Sequence, residues 1–164
     1  MNVQPFLIGE GWMRMRDGDA SCRAIFDRHY SRYVYADGRR PKLFVGPGEK
    51  EVLMQADGLA LCVWRKEKHR LDGQEGVNCA IYRNESDRRA SDMLKDAMRI
   101  AWQRWGGERL FTYVDPRKVK PTIERSRPVW GWCFYKSGWR YSGMTQRGLH
   151  ILECLPLPTE ASDE

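Results

Sequence analysis

Two rhythms of apolar and polar positions run along this chain. Between residues 90 and 105, Met93, Leu94, Ala97, Met98, Ala101, Trp102 and Trp105 recur at helical spacing, which predicts one long amphipathic helix. Gly106 and Gly107 then predict its stop. A shorter helix is predicted over residues 20–30, with Asp19 as its N-cap and Ala24, Ile25 and Phe26 leading to His29. The other apolar runs are short and bounded by turn residues, the signature of strands. An edge strand is expected over residues 3–8, and three strands over 42–46, 51–55 and 59–64, joined by Pro47-Gly48-Glu49-Lys50 and Ala56-Asp57-Gly58. A strand over 76–82 follows, with Val77, Cys79 and Ile81 on one face. Beyond the long helix come a strand over 109–115, a basic loop, a short helix near 129–137, and strands over 139–142 and 148–155.

Strands and helices mixed in this order predict an α/β or α+β fold, a mixed central sheet with helices on both faces. No repeat or linker divides the chain, so residues 1–157 read as a single domain. Residues 158–164 read as an acidic, disordered tail.

Composition narrows the classes. Of 164 residues, 41% are hydrophobic and 30% charged, with seven Trp, a globular balance. No run approaches the roughly 20 apolar residues that span a bilayer, and no signal peptide opens the chain. Five cysteines without a CxxC pair read as small buried thiols of a reduced, cytoplasmic protein rather than as disulfides or a zinc site. Residues 1–157 carry 28 basic against 19 acidic groups, a net charge of +9, and twenty of the basic groups are Arg. That excess admits a polyanionic partner.

The element order resembles that of the GNAT acyltransferases, in which splayed central strands lead into the main helix and the acyl donor lies in the opening. In that family an Arg/Gln-x-x-Gly-x-Gly/Ala turn cradles the pyrophosphate of coenzyme A at the helix N-terminus. The matching stretch here is Ser86-Asp87-Arg88-Arg89-Ala90-Ser91, with Arg89 and Ser91 at the glycine positions. The resemblance therefore implies Arg83, Ser86, Arg88, Arg89 and Ser91 as donor-binding residues. The stretch from Trp132 to Trp139 resembles the family's Tyr-x-x-x-Gly-Phe ending, but Phe134 stands four residues before Gly138 and cannot donate a proton. Tyr135 is adjacent, about 100° further round a helix.

A closer resemblance lies in His29-Tyr30-Ser31, in the string from Asn78 to Glu85, in Val114-Asp115-Pro116-Arg117-Lys118-Val119 and in Gly131-Trp132-Cys133. These resemble strings of the phage Mom-like proteins, GNAT-like enzymes that convert the adenine N6 amine to a carbamoylmethylamine and shield phage DNA from host restriction. The resemblance covers most of residues 22–155. It implies His29, Tyr30 and Asp115 as active-site groups, with Tyr135 as a further donor, and brings iron into consideration, with His29 and Asp115 as ligands. The residues themselves leave two roles open: an imidazole and a carboxylate can share a metal, or the carboxylate can orient the imidazole as a base.

Two basic segments bracket these residues. Arg28, Arg32, Arg39, Arg40 and Lys42 lie in the first, and Arg117, Lys118, Lys120, Arg125 and Arg127 in the second. Paired basic loops suit a phosphate backbone, with Tyr33 and Tyr35 placed to stack on a displaced base. His69 reads as solvated surface, and His150, Trp130, Trp132 and Trp139 as packing. The expected partners are DNA as substrate and either acetyl-coenzyme A or an aminoacyl-tRNA carrying glycine as donor, with no membrane. The rival readings are a conventional acetyl-coenzyme A-dependent N-acetyltransferase acting on a small amine or protein, and a DNA-binding protein without catalysis on the same scaffold.

Overall fold

The computed structural model describes residues 7–9, 11–30, 36–39, 41–68 and 70–156. Ten strands and three helices occur among them: β1 (Leu7–Gly9), β2 (Trp12–Met15), α1 (Ala20–Phe26), β3 (Glu49–Gln55), β4 (Ala60–Lys66), β5 (Val77–Asn84), α2 (Ala90–Arg104), β6 (Leu110–Val114), β7 (Thr122–Glu124), β8 (Arg127–Val129), α3 (Trp132–Lys136), β9 (Arg140–Met144) and β10 (His150–Cys154). Eight strands form one mixed sheet in the order β1-β2-β3-β4-β5-β6-β10-β9, and β7 and β8 form a separate hairpin. The fold is mixed α and β with one large sheet, and no described helix is long and apolar enough to cross a membrane.

Alternation along the central strands divides the core. Leu53, Cys62 and Trp64 pack with Leu94, Ala97 and Ala101 of α2, and Phe134 of α3 joins them. Val52, Met54, Leu61 and Val63 pack instead with Cys22, Ile25 and Phe26 of α1. Trp12 ties β2 to α2 by donating from its indole nitrogen to the Met93 carbonyl at 3.1 Å.

Several sequence expectations need correction. Residues 42–46 form no strand, because Asp17 Oδ1 accepts the Phe44 and Val45 N–H groups at 2.9 and 3.1 Å and takes the place of a ladder partner. The third antiparallel strand is β2, which the sequence reading passed over. The first helix is capped by Asp19 as expected but ends at Phe26, with Asp27 as its C-cap. His29 and Tyr30 follow in a tight turn, where the His29 N–H donates to the Phe26 carbonyl. The basic loop contains the β7–β8 hairpin, whose turn holds Arg125 and Ser126 at positive φ. Finally, Val77, Cys79 and Ile81 do not share one face. A β-bulge skips Ala80, so that Trp64 pairs with Cys79 and Val63 with Ile81. Cys79 consequently packs with α2 and Ile81 with α1. Residues 3–6 and the acidic tail lie outside the described residues.

The bulge lies just beyond the point on β5 where the site begins. Parallel β5 and β6 pair only at Val77 with Leu110 and Asn78 with Phe111. Gly76 permits this close start, since a Cβ there would meet the Arg109 carbonyl oxygen at 2.1 Å. Beyond these pairs the two strands part.

A candidate active site between parted strands

Strands that separate leave backbone N–H and C=O groups without ladder partners, and each needs another. Side-chain hydroxyls supply them here. Thr112 Oγ1 donates to the Cys79 carbonyl at 2.8 Å. The Tyr30 hydroxyl donates to the Tyr113 carbonyl at 3.3 Å, and the Tyr30 phenolic oxygen in turn accepts from the Asp115 backbone N–H. Tyr30 thus occupies the position a neighbouring strand would fill.

The space left between the strands is a cavity of about 620 Å³. Its lining includes His29 and Tyr30 after α1; Asn78, Cys79 and Tyr82 from β5; Thr112 to Asp115 from β6; and Gly131, Cys133 and Phe134 around the start of α3. Alternation sets Asn78 and Tyr113 toward one face and Cys79, Thr112 and Val114 toward the other. One side is therefore polar and imidazole-bearing, and the other is thiol-bearing and apolar. Burial pushes the Cys133 thiol up to about 12, so it is a neutral wall group and not a nucleophile. At Gly131 φ is 80°, and a Cβ there would meet Leu152 and Val114 at 3.1 and 3.2 Å; only glycine fits this part of the wall.

His29 is 8% exposed. Burial, and then the nearby Arg83 charge, lower its pKa to about 4, against an opposing hydrogen bond with the Tyr82 backbone. The imidazole is neutral at pH 7. Its ring lies 4.6 Å from that of Tyr30, whose own pKa burial raises. Asp115 accepts from the Arg117 backbone N–H at 3.0 Å and from Arg117 Nε at 3.0 Å, and this pairing holds the carboxyl below its ordinary range. The Asp115 carbonyl accepts from Lys118 and Val119, so the Asp-Pro-Arg-Lys-Val string is a turn folded around its own first residue. His29, Tyr30 and Asp115 therefore reach one cavity from separate parts of the chain.

The remaining expected residues divide. Arg117 and Lys118 stand at the cavity mouth, joined by Arg147 from the turn before β10, which no local sequence signal marked. Lys120, Arg125 and Arg127 are exposed on the adjoining hairpin arm. Arg39 and Lys42 are exposed but do not line the cavity, and Arg39 pairs with Asp37. Arg32, Tyr33, Tyr35, Arg40 and His69 lie outside the described residues. Tyr135 does not reach the cavity; it stacks on Trp132 at 6.5 Å, and Phe134 takes the lining position. His150 packs edge-on between Trp130 and Tyr141, as expected of a packing residue.

The donor-binding group is arranged differently from its sequence expectation. Arg83 donates to Glu85 at 2.8 Å, Glu85 also takes two bonds from Arg28, and Arg88 pairs with Asp57 at 2.8 Å. Ser86 is bound to Asn84 within the loop, and Ser91 is buried. Arg89 caps α2 with its backbone alone and makes no side-chain cap bond, which leaves the first N–H groups of that helix open to an anion. The Tyr82 hydroxyl, on a cavity-lining residue, donates to the Ala90 carbonyl at 2.5 Å and links that helix end to the site.

Among the described residues no three His, Cys, Asp or Glu side chains gather to hold a metal. Asp115 is committed to Arg117 and its own turn. The donors among the described residues do not build a resident iron site, and what His29 and Asp115 offer is acid–base and positioning chemistry. Sequence reading missed Asn78, Thr112, Tyr113 and Arg147, of which only Asn78, a polar residue inside an apolar strand run, carried a local signal. No family model, curated protein or solved structure matches this chain.

Proposed function

We propose that this protein is a GNAT-like transferase that modifies the adenine N6 amine in DNA, in the manner of the Mom-like proteins its sequence resembles. The observation that carries the reading is the convergence of His29, Tyr30 and Asp115 on one cavity between parallel strands that part after two residue pairs. Helices packed with alternate residues of the same strands support the GNAT-like placement, with α1 on one face and α2 and α3 on the other. The exposed cations at the mouth, Lys118 and Arg147, suit a phosphate backbone, and the cavity is of a size to take a base turned out of the helix.

Atom balance favours glycine esterified to tRNA as the donor. Acetyl-coenzyme A supplies two carbons but not the second nitrogen of a carbamoylmethyl group, and its use requires an oxidant besides. With a glycyl ester, the N6 lone pair attacks the carbonyl, the new N–C bond forms and the C–O bond to ribose breaks. The N6 proton passes to His29, and the ribose oxygen leaves as a hydroxyl on taking up a proton. The resulting N6-glycyl adenine is an isomer of the carbamoylmethyl product. Attack of the glycyl amine on C6, followed by cleavage of the original C6–N6 bond, converts one into the other with no change of oxidation state. His29 enters neutral, as a proton acceptor must, and its low basicity suits an amine already made cationic by attack. Tyr30 and the Asp115–Arg117 pair hold the cavity wall beside it. The open amides at the start of α2 and the exposed Arg89 are offered to the donor's phosphates.

The test is expression in bacteria grown on glycine carrying heavy nitrogen, followed by mass spectrometry of nucleosides from total DNA. The expected product is a carbamoylmethyl deoxyadenosine with one more heavy nitrogen than unmodified deoxyadenosine from the same cells, on the nitrogen that joins C6 to the methylene. Unmodified DNA from abundant, folded protein overturns the reading, and an adduct with no heavy nitrogen beyond that of the unmodified base overturns the glycyl donor alone.

A further inference from the structure

A polar side chain sealed in a protein interior is normally hydrogen-bonded, and one that is not marks a place where a partner is missing. Asn78 is 8% exposed and lines the cavity, yet its carboxamide oxygen is enclosed without a hydrogen-bond partner among the described residues. The position is an unpromising one for an amide. It stands on β5 at the last pair before the strands part, opposite Phe111, where an apolar side chain would cost nothing in satisfaction. Its neighbours do not engage it: Thr112 is committed to the Cys79 carbonyl, and Tyr30 to the Tyr113 carbonyl. Alternation along β5 turns Asn78 away from Cys79, toward the face where α1 packs and from which His29 and Tyr30 enter.

We infer that Asn78 is the residue that reads the base, by pairing its carboxamide with the N6–H of adenine and an adjacent ring nitrogen. This rests on the reading of the cavity as an adenine site. A carboxamide carries an acceptor beside a donor, and adenine presents a donor, N6–H, beside an acceptor on either side, N1 or N7. The match satisfies the enclosed oxygen and fixes the exocyclic amine. One N6–H is held by Asn78, while the other and the nitrogen lone pair are left toward His29 and the donor. No group among the described residues holds the amide in one orientation, so the base itself sets it on entry.

The test uses the intact protein and fluorescently labelled single-stranded oligothymidylate carrying one central adenine, 7-deazaadenine, 1-deazaadenine or abasic site. Single strands keep base pairing out of the measurement. For the unaltered protein, one of the two deaza bases is expected to weaken binding about tenfold relative to adenine, and which one does so identifies the edge read. In Asn78→Val and Asn78→Ala the deaza penalty should shrink to within about twofold while the phosphate-driven part of binding stays, because no charge has changed. Thermal melting separates this from misfolding: removing an unpartnered buried oxygen should leave the melting temperature equal or higher. A deaza penalty that persists in both variants overturns the role of Asn78 and leaves the adenine site standing. If the unaltered protein binds the abasic and adenine strands equally, or binds neither, the adenine site itself fails and the inference with it.

Discussion

Two neighbouring regions of this protein, the loop that leads into α2 and the gap between β5 and β6, use polar groups in opposite ways. In the loop, arginines meet carboxylates: Arg83 and Arg28 share Glu85, Arg88 takes Asp57, and Asn84 closes the backbone around Ser86. In the gap, interruption of a parallel ladder leaves backbone groups that hydroxyls must satisfy, and one buried carboxamide oxygen that no described residue satisfies. Formal charge in the sequence drew attention to the loop. The groups left available to a ligand collect where strand pairing stops, because binding needs groups the protein has not already paired with one another.

The strongest way to break this contrast is to delete one residue from each region. His29→Ala should lower adenine modification by about 100-fold or more, the scale of a lost general base, with the circular dichroism spectrum unchanged. Arg88→Ala should stay within about twofold, since it loses only an exposed ion pair with Asp57. Equal losses in the two variants, read as modified deoxyadenosine per cell, would place the loop in the reaction and erase the distinction.

The next effect is a pH dependence of stability. A histidine free in the unfolded chain titrates near 6.5, whereas buried His29 titrates at about 4. Between these values the unfolded chain binds the proton and the folded one does not, so stability rises with pH. The contribution is fully present above about pH 6.5 and is lost as pH falls toward 4, by about 3 kcal/mol in all. Urea denaturation at a series of pH values should show this slope, and His29→Gln should flatten it. An unchanged slope in the variant would mean that His29 is solvated and not sealed in the cavity wall.

Hydroxyls that stand in for a strand can be weighed against the loop's ion pairs. Thr112→Val leaves the buried Cys79 carbonyl without its donor and should cost about 1–3 kcal/mol. Arg28→Ala, which removes a half-exposed partner of Glu85, should cost less than that. Reversal of that order in chemical denaturation would show that the loop, not the gap, carries the local stability.

How much of this was legible beforehand follows from what each feature depends on. The long helix was readable because seven apolar residues repeat at its own period, and the Asp19 cap because a short side chain precedes an apolar run. β2 escaped because the four residues Trp12-Met13-Arg14-Met15 give too short a signal, and the register comes from pairing with Val52 to Gln55. The false strand at 42–46 had strand-like composition, but its amides were claimed by Asp17 from far along the chain. The bulge at Ala80 is a matter of pairing and leaves no mark in composition. At the site, family-like strings singled out His29, Tyr30 and Asp115, while Arg147 came from a remote turn that only the folded sheet brings to the mouth. Tyr135 illustrates the limit of neighbour-counting: one position along α3 turns the ring out of the cavity and leaves Phe134 inside.

The smallest expected effect concerns the basic segments, where the contrast between paired and available charge can be sharpened one cation at a time. Lys118 and Arg147 are exposed and line the mouth, and among the described residues neither is drawn into an ion pair like that of Arg117 with Asp115. Each phosphate contact releases about one condensed counterion, so Lys118→Ala or Arg147→Ala should reduce the slope of log affinity against log salt by about 0.7 on single strands. Arg39 and Lys42 lie away from the cavity, and their alanine variants should leave that slope unchanged. Fluorescence anisotropy across a salt series measures all four variants on one oligonucleotide. A reduction confined to Arg39 and Lys42 would move the nucleic acid off the mouth and onto the surface before β3, taking the phosphate backbone out of reach of His29.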